Sequence, residues 1–408
     1  IYRGFLMSYE PSASSPAPTS DRLFFKYIME NGPSSRAKIA AEHNLSRPTA
    51  SEAASRLLER GYIKALAKDA GASGKRGRVP GLYDLSESLG CLLTVIAEID
   101  RLSAALYNLR GEQLSEASVS TYWESSEVIQ HALETLIDEL VKDISLPVLA
   151  ATVAVVSPVN PNTQQLGNIP DMGHHDQPLD FYSYLTERFN CPVMVDDRIN
   201  WVLLNETREG IAQHVPVVLG IHLNEGISAA LAINGRLYRG ASGRNGLIHL
   251  VTAENKSLRQ RLQHLGVVDE HSFIRDDGGY LNFEKTAELI VADPESESSQ
   301  LYLMSLAESI VNAAIITDPS ALLLTGPAVE NKAFLSLLTE LISEKYPWHD
   351  LNIIVSEDGA RAIRDGVREG SHLLAMVRLG LANPHELGLL YPHRPINFRI
   401  SAPANEYK

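Results

Sequence analysis

The stretch GIHLNEGISAALAINGRLYRGASGRNG, residues 220–246, decides how the body of this chain is read. Residues 229–233 are apolar, Asn234-Gly235 is a turn dipeptide, and Leu237 and Tyr238 follow. Asn-Gly between apolar runs is the strongest short-range signal for a β-hairpin, because both residues tolerate positive φ. The part before the hairpin has the outline of a phosphate-cradling loop. Asn224 and Glu225 nevertheless stand where glycine would let backbone amides approach an anion.

Working outward, strand-like and helical patterns alternate. Residues 91–99, 103–109, 146–156, 191–197, 215–223 and 321–326 read as strands. Residues 125–144, 178–189, 199–210, 298–317 and 332–346 carry apolar residues at helical spacing. This alternation predicts an α/β fold with largely parallel sheets. No short-period repeat is evident.

A chain of 408 residues suggests two or three domains. Its longest apolar runs, such as 321–324, are far too short to span a bilayer. No basic segment leads into a long apolar one near residue 1, so no signal peptide is expected. Cys91 and Cys191 are the only cysteines, too few for a disulfide framework or a Cys-rich zinc site. A reducing cytoplasm is the expected compartment. The net charge of −14 is unevenly spread. Residues 21–83 hold 12 Lys and Arg against 6 Asp and Glu, whereas 84–408 hold 23 against 43. A basic front on an acidic body suggests that the front meets a polyanion.

Residues 1–20 include the Pro/Ser-rich SYEPSASSPAPTS and read as a flexible leader. Residues 34–64 fit a helix-turn-helix. The first helix starts near Ser35 and carries Ala37, Ile39 and Ala40. Leu45 plugs the turn, Ser46 is the N-cap, and Pro48 sits in the first turn of the next helix. Ala50, Ala54, Leu57 and Leu58 would be its buried face. Arg36, Ser46, Arg47, Thr49, Ser51, Glu52, Ser55 and Arg56 are then the candidate DNA contacts. A basic hairpin follows, tipped by Lys75, Arg76 and Arg78, making a winged helix that reaches adjacent phosphates. The alternatives are a winged helix used for protein contacts and a plain helical hairpin.

With these pieces in order, the chain resembles the ROK family of repressors and sugar kinases. The matching segments are LSRPTASEAASRLLERGYI, GKRGRVP, AALYNLRGE, CPVMVDDRINWVLLNE, INGRLYRGASGRNG and LLLTGP. The resemblance implies a winged helix on a two-lobed, actin-like ATPase body of the sugar-kinase type. It divides the chain into a leader (1–20), a DNA-binding head (21–86), a first lobe (87–200) and a second lobe (201–408) with oligomerisation and C-terminal helices.

Active kinases of the family carry three glycine-containing nucleotide elements. The matching residues here are Glu98-Ile99-Asp100-Arg101-Leu102, Asn224-Glu225-Gly226 and Thr325-Gly326-Pro327. These departures imply that ATP binding is lost, leaving Asp197 as a vestigial base with no catalytic residue. The family's zinc-binding His and Cys cluster is absent, since the His position is Leu247 and no cysteine follows. His249, His264, His271 and the pair His174-His175 remain, and neither metal nor cofactor is expected. The sugar-binding Glu and His correspond to Arg244 and Leu247. Asp196, Asp197, Asn200, Arg244, Asn245 and His249 are the candidate effector contacts, with Arg244 placed to pair with Asp196 or Asp197 or to meet an anionic ligand.

The resemblance implies a DNA-binding regulator, a repressor, controlling carbohydrate metabolism or uptake. Its partners are double-stranded operator DNA and a sugar-like effector, unless the cleft is purely structural. It would act as a homodimer or homotetramer without a membrane. The alternative is an ATP-dependent sugar kinase with an appended DNA-binding head.

Overall fold

The computed structural model describes residues 18–66, 81–121, 125–167, 179–224, 226–253, 255–263, 265, 282–345, 351–356 and 358–383. The head begins with α1 (Thr19–Asn31), β1 (Ser34–Ser35), α2 (Arg36–Glu42) and α3 (Arg47–Glu59). Strands β2 (Ile63–Ala65) and β3 (Leu82–Leu85) pair antiparallel, and β1 pairs with β3, giving the sheet order β1-β3-β2. Ser35 caps α2 through Lys38 N, and Ser46 caps α3 through Thr49 N at 3.2 Å. The buried stripe of α3 is Ala50, Ala53, Ala54 and Leu57. Leu58, expected inside, is exposed: the i, i+3, i+4, i+7 rule places Ala53 on the core face instead. Leu45 and Ala37 are likewise less enclosed than expected, half-buried and exposed respectively.

The first lobe comprises β4 (Cys91–Ala97), β5 (Arg101–Tyr107), β6 (Gln113–Ser120), α4 (Ser126–Val141), β7 (Val148–Val155), α5 (Phe181–Phe189), β8 (Val193–Asp197) and α6 (Arg198–Arg208). The second begins with β9 (Val217–Leu223), β10 (Ile227–Ile233) and β11 (Arg236–Tyr238). It continues through β12 (Thr252–Ala253), β13 (Lys256–Ser257), α7 (Leu258–Gln263), α8 (Phe283–Ala292), α9 (Glu297–Thr317), β14 (Ala321–Thr325), α10 (Pro327–Glu330), α11 (Lys332–Lys345) and β15 (Ile353–Val355). The last described helix is α12 (Gly359–Arg378).

The two large sheets run β6-β5-β4-β7-β8 and β11-β10-β9-β14-β15. Each is an antiparallel three-strand meander continued by two parallel strands, so one topology is built twice. The opening hairpin forms as read. Ile233 pairs with Arg236, and Asn234 and Gly235 take φ of 51° and 69°. The double positive φ is that of a type I′ turn.

Helices α4 and α5 cover one face of the first sheet, and α8, α9 and α11 cover the outer face of the second. α9 is long and apolar enough to cross a membrane by length and composition, but Leu303, Leu306 and Ile310 lie in the core. Between the sheets lie α6 and α12. Trp201 of α6 is fully buried and donates from Nε1 to Val153 O of β7. A Cβ on Gly366 of α12 would come within 2.0 Å of Trp201 O, and one on Gly370 within 2.2 Å of its ring. Only glycine lets the two helices approach this closely. The sequence division assigned everything after residue 200 to the second lobe. α12 instead packs on β4 and β7 of the first, with Thr152 Oγ1 donating to Val367 O. The head docks on the same layer, where Tyr62 Oη donates to Leu379 O. One apolar cluster accordingly runs from Phe24 and Leu57 through Trp201 to Val367 and Leu374.

Candidate nucleic-acid interface and interlobe cleft

In the head, Arg47, Glu52 and Ser55 are exposed on α3, and Thr49 and Ser51 are half-buried beside them. Ser46 lies at the cap, its Oγ also 2.7 Å from Thr49 Oγ1. Exposed Arg36 stacks over the Tyr83 ring, 5.6 Å from its centroid, and donates to Ser51 Oγ at 3.4 Å. Arg56 is not directed outward as expected. Its Nε and Nη2 donate to Asp21 of α1, with Nη2 2.7 Å from Oδ1. Asp21 is fully buried, so Arg56 anchors α3 to α1 rather than standing free. Lys75, Arg76 and Arg78 lie outside the described residues, but β2 and β3, the arms that would carry the wing, are paired.

Where the two lobes meet, β8 ends at Asp196-Asp197 and α6 starts at once. Asp197 Oδ1 caps α6 by accepting from Ile199 N at 3.1 Å. Desolvation, resisted by the Ile199 amide and Arg198, pushes its carboxyl up to about 7. Asp196 is buried and accepts three hydrogen bonds. Arg239 Nε donates to Oδ2 at 2.5 Å, Asn200 Nδ2 to Oδ1 at 2.6 Å, and Asp197 N to Oδ1 at 2.9 Å. Asn200 therefore positions Asp196, and the cation paired with Asp196 is Arg239, not Arg244.

Arg244 is exposed, and Asn245 Nδ2 donates to Tyr238 O, tying off the hairpin. The reason is local geometry. Gly243, at φ 76°, packs so tightly on the first lobe that a Cβ would lie 1.7 Å from Val159 O. That turn sends the side chain at 244 outward, while Arg239, at the end of β11, is directed inward. His249 is buried with Nδ1 3.3 Å from Ile227 O, and desolvation holds its ring down to about 4. It belongs to the second lobe's interior. His174, His175, His264 and His271 lie outside the described residues.

The cleft also contains groups the sequence reading missed. Gln164 Oε1 accepts from Val195 N and braces β8. His222 is buried with neither ring nitrogen bonded among the described residues, and desolvation lowers its basicity. Its Cα partner across the parallel pairing is Thr325. The alternation of β9 alone would have turned His222 toward the cleft, had the sheet's neighbours been known. At the first nucleotide element, Arg101 donates from Nε to Glu98 Oε2 at 2.9 Å, closing the β4–β5 turn with an ion pair. At the second, Asn224 N donates to Gly226 O; Glu225 lies outside the described residues. At the third, Gly326 takes φ 105° and Pro327, lacking an N–H, opens α10.

The architecture defines a head of three helices and a small antiparallel sheet on a two-lobed α/β body whose fold is shared with sugar kinases. Residues 99–261 match the ROK family model, and the chain carries a ROK family domain. It is 23% identical over 372 residues to the xylose repressor of Caldicellulosiruptor bescii, covering 84% of this chain and 92% of that protein. Other relatives, such as the xylose repressor of Bacillus spizizenii, are spanned over only 58% of their length. Among solved structures, a ROK family transcriptional regulator, a homologue of the Escherichia coli MLC protein, superposes with TM-score 0.63 at 16% identity. That match covers 89% of this chain and 98% of the other. The ROK hexokinase of Thermus thermophilus superposes with TM-score 0.53 at 18% identity, over 68% and 96%.

Proposed function

We propose that this chain is a sugar-responsive transcriptional repressor acting in the cytoplasm. The head binds operator DNA through α3 and the 67–80 segment, and the interlobe cleft takes the effector. The carrying observation is that 84% of this chain aligns with 92% of a xylose repressor. The exposed Arg47, Glu52 and Ser55 on α3 support the DNA role, because the N-terminal part of a recognition helix meets base edges. A homodimer or homotetramer would present paired heads to a palindromic site.

Phosphoryl transfer is not part of this reading. Catalysis there depends on cradling and neutralising a triphosphate. The Glu98–Arg101 ion pair and Pro327 occupy two of the three places where that cradle would need glycine or a free amide. The test is binding to genomic fragments at two salt concentrations, with salt-sensitive and sequence-preferring association expected. Its absence would overturn the repressor reading. Sugar-dependent ATP turnover that disappears in Asp197→Asn would restore the kinase.

A further inference from the structure

The Arg239 guanidinium is only 4% exposed. Such a group carries five N–H donors. Among the described residues one is spent, Nε on Asp196 Oδ2, and Nη2 is enclosed without an acceptor. Asp196 is in the opposite condition, with Arg239, Asn200 and the Asp197 amide already on its two oxygens. It has little acceptor capacity left for sugar hydroxyls. A second buried guanidinium, Arg198, follows at the start of α6, and its charge acts on both Asp197 and His222. The Arg239 guanidinium thus has unspent donors beside a carboxylate whose acceptor sites are largely taken. A buried donor without an acceptor is costly, and a ligand rich in acceptor oxygens would remove that cost. The free Nη1/Nη2 edge of a guanidinium matches two coplanar oxygens, which is the geometry of a carboxylate.

We propose that the effector is an acidic sugar derivative, an aldonate or uronate, whose carboxylate is held by the free edge of Arg239. This rests on the effector-binding role of the cleft given above. Arg239 is then the residue that selects acids over neutral sugars, with Asp196 and Asn200 as its positioning partners.

The test is calorimetric titration of the full chain with D-glucuronate, D-gluconate, D-glucose, D-xylose and glucose 6-phosphate. At least one sugar acid is expected to bind ten-fold or more tightly than the neutral sugars. Arg239→Lys, which keeps the charge on Asp196 but loses the fork, should reduce that preference to less than about three-fold. Thermal melting without ligand checks that the variant is folded, and Arg239→Gln gives a second variant if it is not. Stronger binding of a neutral sugar, binding of the phosphate alone, an acid preference that survives in a folded Arg239 variant, or no binding at all would each overturn the proposal. A neutral sugar that releases DNA would leave the repressor reading intact, whereas lack of operator binding by the wild type would strike that reading itself.

Discussion

Arg56 on α3 donates from Nε and Nη2 to the fully buried carboxylate of Asp21 on α1. The pair ties α3 to α1 within the head. Asp21→Asn keeps the volume but loses the charge and half the acceptor capacity. Charge-assisted bonds of this type contribute about 1–3 kcal/mol, so the head should melt earlier by a corresponding amount. Its weakening of DNA binding should be uniform across sequences. Calorimetric melting beside binding to preferred and scrambled DNA checks both.

Arg47→Ala should behave in the opposite way. Its side chain is exposed on α3. Melting should not change, while binding to the preferred site should weaken by about 1–3 kcal/mol and sequence preference should relax. A uniform loss across sequences, with a shallower salt dependence, would make Arg47 a phosphate contact instead.

Gly366→Ala should destabilise the body although alanine is the better helix former. Helix propensity gains about 1 kcal/mol, but the new methyl would meet the Trp201 carbonyl at 2.0 Å, in a layer clamped between two sheets. Overpacking of that kind costs about 1–3 kcal/mol or more, so the net sign is loss. Urea unfolding of the two proteins decides it.

Asp197→Asn should change the pH dependence of stability. The Asp197 carboxyl is raised to about 7 in the folded protein from an ordinary value of 3.8. The neutral form is therefore the one the fold favours. Stability from this group is full below about pH 4 and declines as pH rises toward 7. Asparagine caps a helix as well as aspartate and carries no charge to desolvate. The variant should match the wild type near pH 4 and exceed it by about 1–3 kcal/mol at pH 8. Denaturant titrations at both values test this, and a variant weaker at pH 8 would contradict it.

The head and the hairpin were legible because their signals are local. Ser46 before Pro48, and Asn234-Gly235 between apolar runs, specify a cap and a turn within a few residues. The doubled sheet topology was not legible, since equivalent strands share a burial pattern but not residues. Strand β6 was missed because it alternates exposed and half-buried positions with little apolar content. The site was half legible. Asp196 and Asp197 end a strand that the pattern marks, yet the cation beside them is Arg239, because the Gly243 turn sends Arg244 away. That outcome depends on how closely Val159 of the other lobe approaches, and no spacing in the chain encodes it.

The position of α12 has a consequence for how the protein is made. The face of the first sheet that α12 covers is finished by residues 359–378, whereas its last strand ends at Asp197. During synthesis that face must wait while well over a hundred residues of the second lobe emerge. The first lobe cannot close as an independent unit, and the newly made chain carries an uncovered apolar surface until α12 arrives. A truncation just before residue 359 should therefore remove more than a helix: it should leave both the early lobe and the docked head without their common floor, and such a product would be expected to depend on chaperones or to aggregate.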